Sequence, residues 1–135
     1  MKNKSLAADY ILRAGNRLAA VEVLMQRQGY ADVVRESQEL IELCLKGLLR
    51  ISGVEVPRIH DVSDILIRSE ALLPATIKPH VKQIAKVSKS LRRDRELSFY
   101  GSEDLTPSEF YKEEDARSAL EDARWIYSLC NEIVS

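Results

Sequence analysis

Apolar residues recur at helical spacing along most of this chain. Ala7, Ile11, Ala14, Leu18, Val21 and Met25 alternate steps of four and three, predicting a first helix that runs to about Arg27, capped by Asn3 or Ser5. Gln28-Gly29 ends it. From about Tyr30 to Ile51 the apolar positions thicken. Val33, Val34, Leu40, Ile41, Cys44, Leu45, Leu48 and Leu49 cover more than one narrow stripe, so this second helix is expected at the centre, packed on two sides. Glu42 and Lys46 stand four apart on it as a candidate ion pair, and Ser52-Gly53 stops it.

A loop, VEVPRIHD, follows, with Asp61 or Ser63 placed to cap a short helix over about Val62–Ser69. After Leu72-Leu73-Pro74 a longer helix is expected from Pro79 to Phe99, with Pro79 near its first position and Gly101 as its stop. GSEDLTPSEFYKEE is polar and turn-rich, with one helical turn at Pro107–Phe110. A last helix then runs from about Tyr111–Glu113 to Ile133, its seam being Ala116, Leu120, Ala123, Tyr127, Cys130 and Val134. No stretch alternates convincingly as a strand, and no internal repeat is visible. The pattern predicts an all-α fold over 1–135: an antiparallel up-and-down bundle of four long helices plus a short one.

Composition agrees with that pattern. Apolar residues make up 45% and charged residues 30% of 135 residues, and the net charge of −1 argues against a generally basic nucleic-acid binder. The charge is unevenly placed, however. Residues 78–95 carry seven Lys or Arg against Asp94 alone, whereas residues 103–122 carry eight Asp or Glu against Lys112 and Arg117. Such asymmetry either steers a charged partner or is neutralised by packing the two segments together. Cys44 and Cys130 fall on apolar faces, without CxxC or Cys/His spacing, so buried free thiols are expected and no metal site. Nothing calls for a cofactor. No apolar run reaches the ~20 residues that span a bilayer, and a cytoplasmic protein without membrane attachment is the expectation.

The basic segment holds the candidate chemistry. Lys78, Lys82, Lys86, Lys89 and Arg93 fall within about 80° of arc, a stripe that could track a phosphate backbone. The blander reading, a solvated face or pairing with the acidic last helix, is favoured because no interleaved aromatics offer base stacking. Arg95 does not join the stripe. It points with Val81, Leu91 and Ser98, on the apolar side, where a guanidinium must be paired, must snorkel or must face a cleft. An ion pair to Glu42 would satisfy it. His60, in a loop before a helix, reads first as an anchor or cap.

Several pieces, in order, resemble the HEPN domain. RESQELIELCLKGLL carries Gln38, Glu42, Leu45 and Lys46 where that family's second helix has Gln, Glu, Leu and Lys. PRIHDVSDIL resembles its loop-helix through Pro57, His60, Asp61 and Leu66. LRRDRELSFYG resembles the end of its fourth helix, and YKEEDARSALEDARWIY its last helix. The resemblance is to stand-alone prokaryotic HEPN proteins of the kind encoded beside a minimal nucleotidyltransferase. It implies a homodimer in which the fourth helices line a cleft between protomers, and a toxin–antitoxin-like module with a nucleotidyltransferase partner. The apolar surface of the second and fourth helices beyond a single seam points to a dimer as well.

Ribonuclease members of the family carry Arg, four to six residues, then His at the end of the fourth helix. Here Arg95 is followed at that distance by Tyr100. A tyrosine, with an ordinary pKa of about 10, is a poor base at neutral pH. The leading expectation is therefore a protein that binds nucleotide or RNA through Arg92, Arg95, Tyr100, Lys82, Lys86, Lys89 and Arg93, and that leans away from being an enzyme. A metal-independent endoribonuclease toxin using Arg95 with Tyr100 or His60 is the first rival. A structural helical adaptor without a ligand is the second.

Overall fold

In a computed structural model, residues 4–56, 62–93, 100–101 and 104–135 are described, with Arg93 described in its backbone only. The elements are α1 (Lys4–Gln26), α2 (Tyr30–Ile51), α3 (Val62–Arg68), α4 (Val81–Arg93), α5 (Pro107–Phe110) and α6 (Glu113–Val134). Two 3-10 turns, Glu70–Leu72 and Lys78–His80, sit between α3 and α4. Among the described residues there is no strand, so the all-α bundle stands.

Helix α2 is the axis of the bundle. Leu40, Cys44 and Leu45 have no exposed surface and Leu48 only 2%. Burying side chains of this size stabilises by roughly 1.5–3 kcal/mol each, so this face anchors the fold. The α1 seam closes on one side through Ala7, Ile11, Ala14 and Val21, and α6 closes another through Ala116, Ala119, Leu120, Ala123, Ile126 and Cys130. Gly47 lets α1 and α2 approach closely: a Cβ there would meet the Ile11 Cδ1 at 3.0 Å and the Ala7 carbonyl oxygen at 3.2 Å. Helices α3 and α4 cover the remaining side with Ile65, Leu66, Val81, Ile84 and Ala85.

Directions follow from specific contacts. Arg124 grips Glu22, with Nε donating to Oε2 at 2.8 Å, and the Tyr127 ring lies over Gly15, so α1 and α6 are antiparallel. Tyr30 donates to Glu113 at 3.5 Å and Cys44 hydrogen-bonds Cys130, so α2 and α6 run the same way. At the start of α4, His80 meets Trp125 edge to face at 5.6 Å. That histidine is thus a packing group.

Two ends differ from the simplest sequence reading. Gln28, not Gly29, takes the left-handed backbone, with φ of 62°. It closes α1 in a Schellman motif: Gly29 N–H donates to Leu24 O at 2.9 Å and Gln28 N–H to Met25 O at 3.0 Å. Pro79 does not open the α-helix. It sits in the 3-10 turn Lys78–His80, where His80 N–H donates to Ile77 O at 2.8 Å, and the α-helix begins at Val81. The proline cannot donate to a carbonyl, so a tighter turn precedes the α-helical ladder. The expected reach of α4 to Phe99 lies outside the described residues. So do the Asn3 and Asp61 caps, while Ser5 and Ser63 lie inside their helices. Helix α5 opens with a capping box: Thr106 Oγ1 accepts from Glu109 N–H at 3.3 Å and Glu109 Oε1 accepts from Thr106 N–H at 3.1 Å.

The apolar surplus of α2 and α4 is consumed inside the chain by α1, α3 and α6 rather than left on the surface. Large exposed apolar side chains stand elsewhere, at Leu12, Val23, Ile67, Leu72, Tyr100, Leu105 and Phe110.

Candidate functional site

The sequence candidates fall into two groups. His60 and Arg95 lie outside the described residues, as does the side chain of Arg93. Of the rest, Lys82, Lys86, Lys89 and Arg92 project from the exposed side of α4, and Tyr100 is 74% exposed just before Gly101. Gly101 has φ of 84°, and a Cβ there would lie 2.6 Å from the Leu105 carbonyl oxygen, so the chain reverses tightly at this point.

Charge pairing discriminates between the readings of the lysine stripe. Lys82, Lys86 and Lys89 form no ion pair among the described residues, either with the acidic α6 or elsewhere. Helix α6 spends its charges otherwise. Glu113 pairs with Arg117 at 2.8 Å, and Asp115 Oδ2 accepts from Lys112 N–H at 2.8 Å, capping the helix start. Glu42 does not pair with Lys46. Its Oε1 lies 3.9 Å from Arg92 Nη1, since α4 brings a guanidinium over this face of α2.

Between α4 and α6 the surface opens into a groove of about 530 Å³. One wall is the α4 stripe Gln83, Lys86, Val87, Ser90 and Leu91. The other is the α6 stripe Asp115, Ser118, Ala119 and Asp122. Both stripes keep the i, i+3, i+4, i+7 spacing that shows one helix face. Val34 of α2 and Tyr111 complete the lining. The short side chains of Ser90, Ser118 and Ala119 leave the space that larger residues would fill. Asp122 is half-buried and has no hydrogen-bond or ion-pair partner among the described residues; desolvation, and then the neighbouring Glu121 charge, push its pKa up. None of the acidic wall was singled out from the sequence, although the spacing of Asp115 and Asp122 on a strongly acidic helix was the available signal.

Below this region lies an unusual buried amide. Gln38, 1% exposed and one turn from Val34 on α2, has no hydrogen-bond partner for Nε2 or Oε1 among the described residues, and neither has the adjacent Ser37 hydroxyl. Among the described residues no group of three His, Cys, Asp or Glu is placed to hold a metal ion. No helix there is long and apolar enough to cross a membrane.

The described residues form an all-α bundle in which Lys82, Lys86 and Lys89 make no ion pair among those residues, beside a groove with polar side chains on both walls. The HEPN domain model matches residues 7–133, nearly the whole chain, and the protein belongs to the HEPN family. No curated protein and no solved structure gives a match.

Proposed function

We propose that this HEPN protein acts as a homodimer whose α4 helices line a cleft that binds a nucleotide or RNA phosphate. Its protein partner on this reading is a nucleotidyltransferase, in a toxin–antitoxin-like module. The observation that supports it most is that Lys82, Lys86 and Lys89 form no ion pair among the described residues: α6 does not consume their charge, which leaves it to attract an anion. Arg92, close to Glu42 at the described end of α4, belongs to the same surface. Arg95 contributes on the strength of the family pattern, its planar fork suiting a phosphate. Tyr100, exposed at the chain reversal, has a hydroxyl that can hydrogen-bond a phosphate.

Light scattering tests the assembly, with an expected mass twice the 15.3 kDa of one chain. Titration with single-stranded RNA tests the cleft. Arg95→Ala weakens binding by about 1.5–3 kcal/mol, the scale of a charged hydrogen bond, and Arg95→Lys does not restore it fully. A monomer at tens of micromolar, or undiminished binding by Arg95→Ala, defeats this reading.

A further inference from the structure

Where α1 packs on α2, the surface carries a cluster that the α4 stripe does not explain. Two guanidiniums stand against the ring of Tyr10 on α1. Arg13 Cζ lies 5.9 Å from the ring centroid, and Arg50 Cζ, from the last turn of α2, lies 5.6 Å from it. Both are within the ~6 Å over which a cation is drawn to an aromatic face. Neither arginine makes an ion pair or a side-chain hydrogen bond among the described residues. Arg17, one turn further along α1, does pair, with Glu36 at 3.1 Å. Asp9 stands four residues before Arg13, the favoured order for a helical ion pair, and still the two do not pair. Arg50 Nε is buried without a hydrogen-bond partner among the described residues.

An aromatic ring balances such charges only in part. It offers no oxygen lone pair, so the donors of both planar forks stay uncommitted within the protein. A fork of this kind fits a carboxylate or a phosphate through two parallel hydrogen bonds. The surroundings choose between the two. The Tyr10 ring is already engaged by two guanidiniums and is no free platform for stacking a base. Nor does the cluster continue as a basic stripe that would track a nucleic-acid backbone, because Glu36 neutralises Arg17 and Asp9 is exposed alongside. Tyrosine and arginine together are instead the side chains enriched at the centres of protein interfaces.

We propose that Arg13, Tyr10 and Arg50 form a docking site for an acidic segment of a protein partner, one that carries two carboxylates a helical turn apart with an apolar side chain beside them. Each carboxylate takes one guanidinium, and the apolar side chain packs on the ring of Tyr10. Contact with the ring holds both arginines in place beforehand, which lowers the entropy cost of ordering two long side chains on binding. The site lies where α1 meets α2, whereas the lysines proposed to contact RNA stand on α4, so the two surfaces can be tested separately.

The test is fluorescence anisotropy of the intact protein with a labelled helical peptide containing Glu-Ala-Ala-Leu-Glu, beside the same peptide with Gln at both Glu positions. The Glu peptide is expected to bind at least about tenfold more tightly than the Gln peptide. Arg13→Gln and Arg50→Gln are each expected to weaken the Glu peptide at least about fivefold and to leave the Gln peptide unchanged. Arg13→Lys is expected to recover only part of the loss, since an ammonium keeps the charge without the fork. Circular dichroism checks that each variant is folded, and Arg13, being exposed, keeps the test open should Arg50→Gln fail to fold. Single-stranded RNA affinity is expected to be the same in the Arg13→Gln, Arg50→Gln double variant as in the wild type. Equal affinity for the two peptides, or no measurable binding of the Glu peptide, overturns the proposal and leaves the cluster as a clasp between α1 and α2. A loss of RNA affinity in the double variant as large as its loss of peptide affinity also overturns it, by assigning the cluster to nucleic acid.

Discussion

Arg92 Nη1 lies 3.9 Å from Glu42 Oε1, joining the described end of α4 to the central helix. The pair is long and unequally covered, the arginine side chain being 40% and the glutamate 14% exposed. It gives Glu42 an arginine partner other than Arg95, so that carboxylate is not held in reserve for Arg95 alone. Solvent screening limits what such a pair contributes. Arg92→Ala should therefore cost less than about 1 kcal/mol in urea unfolding, while lowering RNA affinity. A larger loss of stability would make Arg92 a structural clamp instead.

Gln38 should be a site where stability can be raised. Its amide is buried with neither atom hydrogen-bonded among the described residues, and such a group costs roughly 1–3 kcal/mol of desolvation. Gln38→Met keeps the length of the side chain and removes the polar atoms. Denaturant unfolding should show a gain of about 1–2 kcal/mol. A loss of that size would mean that the amide has a hydrogen-bonding role in solution.

Cys44 and Cys130 should behave as inert thiols in the folded protein. Both are buried, and the hydrogen bond to Cys130, followed by burial, raises the Cys44 pKa well above the ordinary thiol range. Ellman's reagent at pH 8 should react at the rate of unfolding. The raised pKa also has a consequence for stability. Folding favours the protonated thiol, so its contribution is full below the unfolded thiol pKa of ~8.5 and is lost as pH rises from there toward the higher folded value. Rapid labelling under native conditions would contradict the packing of α2 on α6.

Much of this fold was legible in the residues. The bounds of α2 and of the Pro107–Phe110 turn coincide with the sequence reading, and for α2 Gly29, Gly53 and the apolar thickening of Tyr30–Ile51 are the local signals. The Gln28 backbone was not legible: Gly29 invites the left-handed assignment, but the Schellman geometry falls one residue earlier. The 3-10 turn before α4 was missed because a proline is equally acceptable at the first position of an α-helix. The Glu42–Lys46 spacing promised a pair that tertiary packing redirected to Arg92. The groove was invisible for a different reason. It arises from the separation of two helices that lie far apart in sequence, and periodicity along one helix carries no information about that separation.

Catalysis is the next expectation. With Tyr100 where ribonuclease relatives carry histidine, the purified protein should leave single-stranded RNA intact in EDTA, as followed on a denaturing gel. Robust cleavage that Tyr100→Phe abolishes would establish the endoribonuclease reading.

The most direct test of an anion-binding α4 is the salt dependence of RNA affinity. Fluorescence anisotropy with a labelled single-stranded RNA would compare the wild type with a Lys82→Gln, Lys86→Gln, Lys89→Gln triple variant across a salt series. Each phosphate neutralised on a single strand contributes about 0.7 to the slope of log affinity against log salt. The account predicts weaker binding by the triple variant and a slope shallower by about 2. Equal affinity and equal slope for the two proteins would contradict it.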